Sequence, residues 1–327
     1  MQRVSAIIVA VRRRFMDAGN VIFFGTTDFS AAVLETLVQE GYHIGAVVTQ
    51  PDKPVGRKHK LEASEVKQYA LAHGIPVLQP VRLTQEADSV LSLHPDLIIS
   101  CAYGQLIPVS ILEAPKYGCL NIHPSKLPRY RGGAPIQRAV MNGDTETEVC
   151  LMEIAAGMDS GVVYARIPAE IGPDETSSEL FEQLKEPACE LIRSYLPRYL
   201  SGELKGEVQD EAGVVLAPNI RREEEQVFFQ KEPIRSLYNH LRGLMDTPLG
   251  YGMIDGKRIK IARARIEDTP VDEAPGTILG FADHAMRVAG IGGVLLVYEL
   301  QMEGKSRMDA DAFRNGSGRQ LIGKVFD

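Results

Sequence analysis

The sequence contains no apolar run approaching the roughly 18 residues that a membrane-crossing helix requires, because polar residues or glycines cut every candidate. A transmembrane segment is thereby excluded. Cysteine is scarce: Cys101, Cys119, Cys150 and Cys189 are the only four, and neither CxxC pairs nor His clusters accompany them. This argues against a zinc site and a disulfide framework, and the thiols are expected to lie buried in a reducing, cytoplasmic setting. The first strand-to-helix turn, GTTDFS at residues 25–30, lacks the GxGxxG spacing that admits a pyrophosphate, which argues against a nicotinamide cofactor. Asp28 within it is expected to cap the following helix. Positive charge is short as well. The chain carries 36 Lys and Arg against 43 Asp and Glu, and its net charge of −7 repels phosphates over the surface as a whole. Residues 218–327 hold 16 of each sign, so the deficit lies wholly before them.

A chain of 327 residues with 44% hydrophobic content has the length and apolar content for two packed domains. Its start, MQRVSAIIVAVRRRFMDAG, places four arginines before the first acid, Asp17, around an apolar core too short for a secretory signal. Residues 1–19 therefore read as an extension, with Met16 the expected start and a targeting arm the alternative. From Val21 onward, short apolar runs alternate with amphipathic ones: VIFFG, FSAAVLETLVQEG, HIGAVVTQ, SEVKQYALAHG, PVLQP, TQEADSVLSLH, DLIISCAYG. Continuous apolar strands separated by helices imply an α/β fold, a doubly wound, mostly parallel sheet covered on both faces. A helical run is expected from Thr176 to Leu200, capped by Thr176, Ser177 or Ser178. Residues 206–220, rich in glycine, charge and turn signals, read as a linker. Beyond it come one helix near Pro233–Met245, a hairpin turning at Asp255-Gly256, and further short strands. A smaller β-barrel of the OB type is the expected closure.

The stretch CLNIHPSKLPRYRGGAPIQ, residues 119–137, begins as a strand whose alternation sets Asn121 and His123 on one face. It then breaks into a loop of prolines and glycines carrying Lys126, Arg129 and Arg131. In an α/β sheet, ligands gather beyond the carboxyl ends of strands. The glycine-flanked loop AAGMDSG places Asp159 after another apolar strand, from which its carboxylate can reach that end. An amide that can donate to an oxyanion, an imidazole and a carboxylate form a recognisable catalytic set.

The segment LNIHPSKLPRYRGGAPIQRAVMNGDTETEVCLMEIAAGMDSG resembles the signature of the 10-formyltetrahydrofolate-dependent formyltransferases, and within them the methionyl-tRNA formyltransferases. The order N-x-H, SKLPRYRG, API, MDSG is what makes the resemblance specific, and it extends from Val21 to the C-terminal barrel. It implies a formyltransferase-like Rossmann variant over residues 20–205 and an OB-like tRNA-binding domain over 221–327. It also implies Asn121, His123 and Asp159 as catalytic residues, and Ser125, Lys126, Leu127 and Pro128 as the border of the folate. The implied reaction moves the formyl group of 10-formyltetrahydrofolate to the α-amine of methionine on initiator tRNA, with no metal required.

The connection TQPDKPVGRKHKLEASEVK, residues 49–67, carries a basic run whose charge alone specifies no RNA. By resemblance it enters the acceptor end of the tRNA, with Arg57 near a base and Lys58 and Lys60 on phosphates. A second basic surface is expected in the barrel from Arg221, Arg222, Arg258 and Lys260. Strict alternation there sets Arg258, Lys260, Ala262 and Ala264 against Lys257, Ile259 and Ile261, so only some of the hairpin's charges share a surface. The chain has no tryptophan, a departure from the aromatic segments of the family's second domain. The alternatives are a formyltransferase acting on a nucleotide-linked amino sugar, a formyltetrahydrofolate hydrolase, or a catalytically idle RNA-binding protein. A monomer is expected, with no membrane partner.

Overall fold

The computed structural model describes residues 18–55 and 60–327. They form two compact units, one comprising the chain up to Gly133 with Thr147–Ala169 and Glu182–Leu216, the other Ala134–Glu146, Glu170–Phe181 and Ala217–Asp327. In chain order the first unit opens with β1 (Val21–Gly25), α1 (Asp28–Gln39), β2 (Ile44–Val48), the hairpin β3 (Lys53–Val55) and β4 (Lys60–Glu62), and α2 (Glu65–Ala72). Next come β5 (Val77–Leu78), β6 (Leu97–Cys101), β7 (Cys119–His123) and β8 (Arg129–Arg131). After α3 (Pro135–Met141), in the second unit, follow β9 (Glu146–Glu153), β10 (Val163–Glu170), α4 (Ser177–Gln183, most of it also in the second unit), α5 (Lys185–Glu190), α6 (Leu196–Leu200) and β11 (Val215–Leu216).

Seven of these strands make one sheet in the order β10-β9-β7-β6-β1-β2-β5. The pairs β1–β2, β1–β6, β2–β5 and β6–β7 are parallel, and β7–β9 is antiparallel. All five residues of β1 and of β6 are buried, as expected of strands covered on both faces. Strand order reverses at β1, which has β2 on one side and β6 on the other, so the crevice beyond the carboxyl ends of β1 and β6 is the switch point of the winding. One face of the sheet packs Ile22, Phe24, Val48, Ile98, Tyr103 and Ile111 into a common core.

Two local expectations require correction. The cap of α1 is Thr27, whose hydroxyl accepts from the Ser30 N–H. Asp28 is instead the first helical residue, with its carboxylate 2.7 Å from Lys185 Nζ. The run to Leu200 is interrupted by a π-helical turn at Leu191–Tyr195, next to Pro197, which offers no N–H to the carbonyl four residues back. Its start is a capping box: the Thr176 hydroxyl accepts from the Glu179 N–H, while the Glu179 carboxylate accepts from the Thr176 N–H.

The second unit adds α7 (Ile234–Leu244), β12 (Tyr251–Ile254), β13 (Lys257–Glu267), β14 (Ile278–Ala282), β15 (Ala285–Gly290), β16 (Gly293–Met302), β17 (Met308–Asp309) and α8 (Ala310–Asn315). Its antiparallel sheet runs β12-β13-β16-β15-β14, with β17 on β16. Asp255 and Gly256, both at positive φ (49° and 71°), turn β12 into β13 as their dipeptide predicts. Without tryptophan, the core is built on Phe229, Phe313, Phe326 and Tyr238, with Phe229 and Phe326 stacked at 5.0 Å between centroids. α7 feeds that core with Ile234, Leu237, Tyr238 and Leu241, the i, i+3, i+4, i+7 stripe of an amphipathic helix.

Strict alternation fails in β13. Paired bulges, one extra residue at Ala262 on β13 and one at Tyr298 on β16, break the register. Ile261 and Ala262 are consecutive buried residues, and the phase shifts after them. Arg263 and Arg265 therefore join Arg258 and Lys260 on the side away from the core, rather than facing opposite to them.

Thr27→Ala should destabilise the first unit by about 0.5–2 kcal/mol through loss of the cap, read as a lower denaturation midpoint. Asp28→Ala, which removes a half-exposed ion pair and a hydrogen bond to the neighbouring Phe29 N–H but leaves the Thr27 cap in place, should cost less.

Candidate active site

β7 delivers Asn121 and His123 to the carboxyl end of the sheet, where Asn121 stands opposite Ser100 of β6 and Met152 of β9. Two positions apart on one strand, their side chains emerge on the same face. Among the described residues the Asn121 side-chain amide takes no hydrogen bond, and the residue is only partly buried, so both its N–H donors stay available. His123 is 4% exposed. Its Nε2 lies 3.1 Å from the Tyr130 carbonyl, which can only accept, so in the neutral ring the proton sits on Nε2. Nδ1 is left facing Asp159 Oδ2 at 3.8 Å. A proton taken up at Nδ1 creates a cation beside that carboxylate.

Asp159 holds this place by local contacts. The loop after β9 sets it at φ 46°, in the left-handed region, and its Oδ2 accepts from the Gly132 N–H at 2.9 Å. The loop's backbone is tied by residues read in the sequence as linker. Glu207 exchanges two backbone hydrogen bonds with Val163, and β11 pairs with β8 in parallel. Between them the buried Gln209 donates to the carbonyls of Asp159 (2.8 Å) and Gly161 (2.7 Å), and accepts from Arg131 Nε (3.0 Å). Arg131 in turn pairs with Glu211 at 2.8 Å. Tyr130 and Gly132, which supply the contacts to His123 and Asp159, flank that arginine.

The SKLP segment is tied inward. Ser125 is buried and its hydroxyl donates to the Arg129 carbonyl at 2.9 Å, while its own carbonyl accepts from the Cys150 thiol at 3.1 Å. Burial pushes the Cys150 and Cys119 thiols up to about 12, so Cys150 remains a protonated donor. Leu127 packs with Cys150, Met152 and Val163, and its carbonyl accepts from Arg166 at 2.7 Å. Only Lys126 and Pro128 of the four present partly open side chains.

At the switch point the Tyr103 carbonyl accepts from Thr26 Oγ1 and Gln50 Nε2, both at 3.0 Å. Gln105 reaches the Pro80 carbonyl at 3.1 Å. A cleft of about 320 Å³ opens here, lined by Thr26, Thr27, Gln50, Pro51, Lys53 and Ser64.

A family model described as Formyl transferase matches residues 19–196, and one described as Formyl transferase, C-terminal domain, matches residues 219–318. The methionyl-tRNA formyltransferase of Halalkalibacterium halodurans is 42% identical over 309 residues, which cover 93% of this chain and 97% of that relative. That of Bacillus subtilis is 40% identical over 300 residues, covering 91% and 94%. The chain belongs to the methionyl-tRNA formyltransferase family. Among solved structures, the methionyl-tRNA formyltransferase from Clostridium thermocellum aligns with a TM-score of 0.52 at 16% identity, covering 76% of this chain and 93% of that one. HypX from Aquifex aeolicus in complex with tetrahydrofolic acid gives 0.64 at 17% identity, covering 92% and 48%. Both are likenesses of fold.

Of the residues singled out in this formyltransferase sequence, Asn121, His123 and Asp159 meet at one sheet end. Arg57 and Lys58 lie outside the described residues, and Lys60 begins β4. Arg221 and Arg222 are exposed, with Arg221 3.3 Å from Glu224. The Arg258 guanidinium lies over the Tyr251 ring at 5.0 Å, and Lys260 Nζ donates to the Pro248 carbonyl at 2.8 Å. Tyr130, Arg131, Gly132 and Gln209 were missed as site residues. For Tyr103 and Gln105 a signal existed: they directly follow the apolar run LIISC, where a switch-point crevice must lie.

Gly161→Ala is predicted to damage the site from a distance. A Cβ there would meet the Glu153 carbonyl oxygen at 2.0 Å, so the backbone that Gln209 holds must move. Turnover should fall by roughly 10²-fold, the effect typical of a displacement of about 1 Å, and the thermal midpoint should drop with it.

Proposed function

We infer that the protein transfers the formyl group of 10-formyltetrahydrofolate to the α-amino group of methionine on initiator tRNA, with Asn121, His123 and Asp159 as its catalytic residues. The observation that carries this reading is the convergence of an uncommitted amide, a ring fixed through Nε2, and a carboxylate 3.8 Å from Nδ1. Attack of the amine on the formyl carbon forms the new C–N bond and drives charge onto the carbonyl oxygen. Asn121 donates to that oxyanion. Nδ1 of His123 takes the proton the amine must lose, and Asp159 stabilises the resulting imidazolium. The intermediate collapses as the bond to the folate nitrogen breaks, and that nitrogen takes the proton held on His123, which returns to its neutral form. Nothing in these steps requires a metal ion.

Lys126 and Pro128 are the SKLP side chains open enough to border the folate, with Ser125 and Leu127 shaping the loop beneath. For the tRNA, the basic run Arg57, Lys58 and Lys60 is one candidate contact, with Lys60 opening β4, while Arg221, Arg222, Arg258 and Lys260 belong to the second unit. The bulges of β13 add Arg263 and Arg265 to the same face as Arg258 and Lys260. Relatives alike over both parts of the chain support a tRNA acceptor over an amino sugar.

With 10-formyltetrahydrofolate and charged tRNAs, formylation is expected on initiator but not elongator methionyl-tRNA, and product on a nucleotide-linked amino sugar instead would overturn the reading. Asn121→Ala should lower kcat by about 10²- to 10³-fold, roughly 2.7–4 kcal/mol of barrier, without loss of tRNA binding. His123→Ala should abolish turnover and likewise spare binding. Arg258→Ala and Lys260→Ala should each weaken tRNA affinity and reduce the slope of log K against log salt by about 1. An unchanged slope would remove those residues from the interface.

A further inference from the structure

Gln209 lies 5% exposed in a stretch whose composition reads as linker, yet every hydrogen-bonding group of its carboxamide is engaged. Both Nε2–H groups donate, to the Asp159 and Gly161 carbonyls at 2.8 and 2.7 Å, and Oε1 accepts from Arg131 at 3.0 Å. Those partners are the two sides of the catalytic set. The Asp159 loop carries the carboxylate, in a left-handed conformation that a side-chain-bearing residue rarely adopts unaided. β8 carries Arg131 between the Tyr130 carbonyl, which fixes the His123 ring, and the Gly132 N–H, which holds Asp159 Oδ2. One amide therefore spans the strand that orients the imidazole and the loop that presents the carboxylate. Its own backbone is held by the Glu207–Val163 bridge before it and by β11 on β8 after it.

We propose that Gln209 is a positioning residue for formyl transfer, setting the Asp159 carboxylate against His123 through its ties to Arg131 and to the Asp159 and Gly161 carbonyls. This rests on the assignment of Asp159 and His123 as catalytic residues. Gln209 touches neither substrate nor reacting atoms; it acts through Asp159. Simple packing would require only its volume, whereas positioning requires its two donors.

The deciding variants are Gln209→Glu, which keeps the volume and the acceptor for Arg131 but removes the donors, and Gln209→Ala. Each should lower kcat by about 10- to 100-fold, with KM for folate and tRNA within about twofold, because misplacement of a catalytic group costs rate rather than binding. In an Asp159→Asn background the same changes should cost less than about twofold further, since they act through the carboxylate already removed. In ¹⁵N-histidine spectra of the folded variants, the His123 ring resonances should move toward their positions in Asp159→Asn. Wild-type kcat in Gln209→Glu, a loss confined to KM, losses that multiply with Asp159→Asn, or unmoved His123 resonances would each overturn the proposal. If the wild-type chain formylated no methionyl-tRNA, the proposed reaction would fall, and the His123 resonances would still decide the role of Gln209.

Discussion

The proposed chemistry depends on the orientation of one imidazole. With Nε2–H given to the Tyr130 carbonyl, the His123 ring has a single face of reactivity, Nδ1, and that face meets Asp159. Had the carbonyl been absent, the ring could flip or change tautomer and the carboxylate would have no fixed partner. Tyr130 itself sits at φ 65°, an unusual place for a bulky residue, and the surrounding β8–β11 pairing and the Arg131 contacts hold it there. Strain at Tyr130 and at Asp159 is thus stored on both sides of the same ring, where a functional site is expected to keep it.

Much of this was legible in the residues. The apolar runs of the first unit announce a parallel sheet, the N-x-H alternation puts two polar groups on one face, and the MDSG loop offers a carboxylate from a neighbouring strand. Asp255-Gly256 specifies its own hairpin because only such residues accept positive φ at both central positions. What was not legible depends on contacts between residues far apart. Gln209 is 50 positions from Asp159 and 78 from Arg131, in a polar stretch whose composition matches a solvated linker. No local pattern distinguishes a glutamine that points into water from one that ties two loops together.

The same limit explains the cap of α1. Thr27 and Asp28 are both good capping residues, and only the chain's path out of β1 decides which of them keeps extended backbone while the other enters the helix. With Thr27 as cap, Asp28 is free to meet Lys185, an ion pair that ties α1 to α5.

In the second unit the paired bulges show how a sheet can hold a basic face and a sealed core on one strand. An unbroken β13 would turn Arg263 and Arg265 inward once Ile259 and Ile261 had been placed in the core, at the cost of burying two guanidinium groups. One extra residue at Ala262 resets the phase, so that Ala264 faces the core and the arginines face out. The compensating residue on β16 is Tyr298, whose ring lies under the Arg263 guanidinium at 5.8 Å, while Tyr251 does the same for Arg258 at 5.0 Å. An aromatic ring beneath each cation restrains it, and Arg258 is further held by Glu303 at 3.9 Å, so bulge and rings together keep the guanidinium groups on the outer face while the core stays sealed.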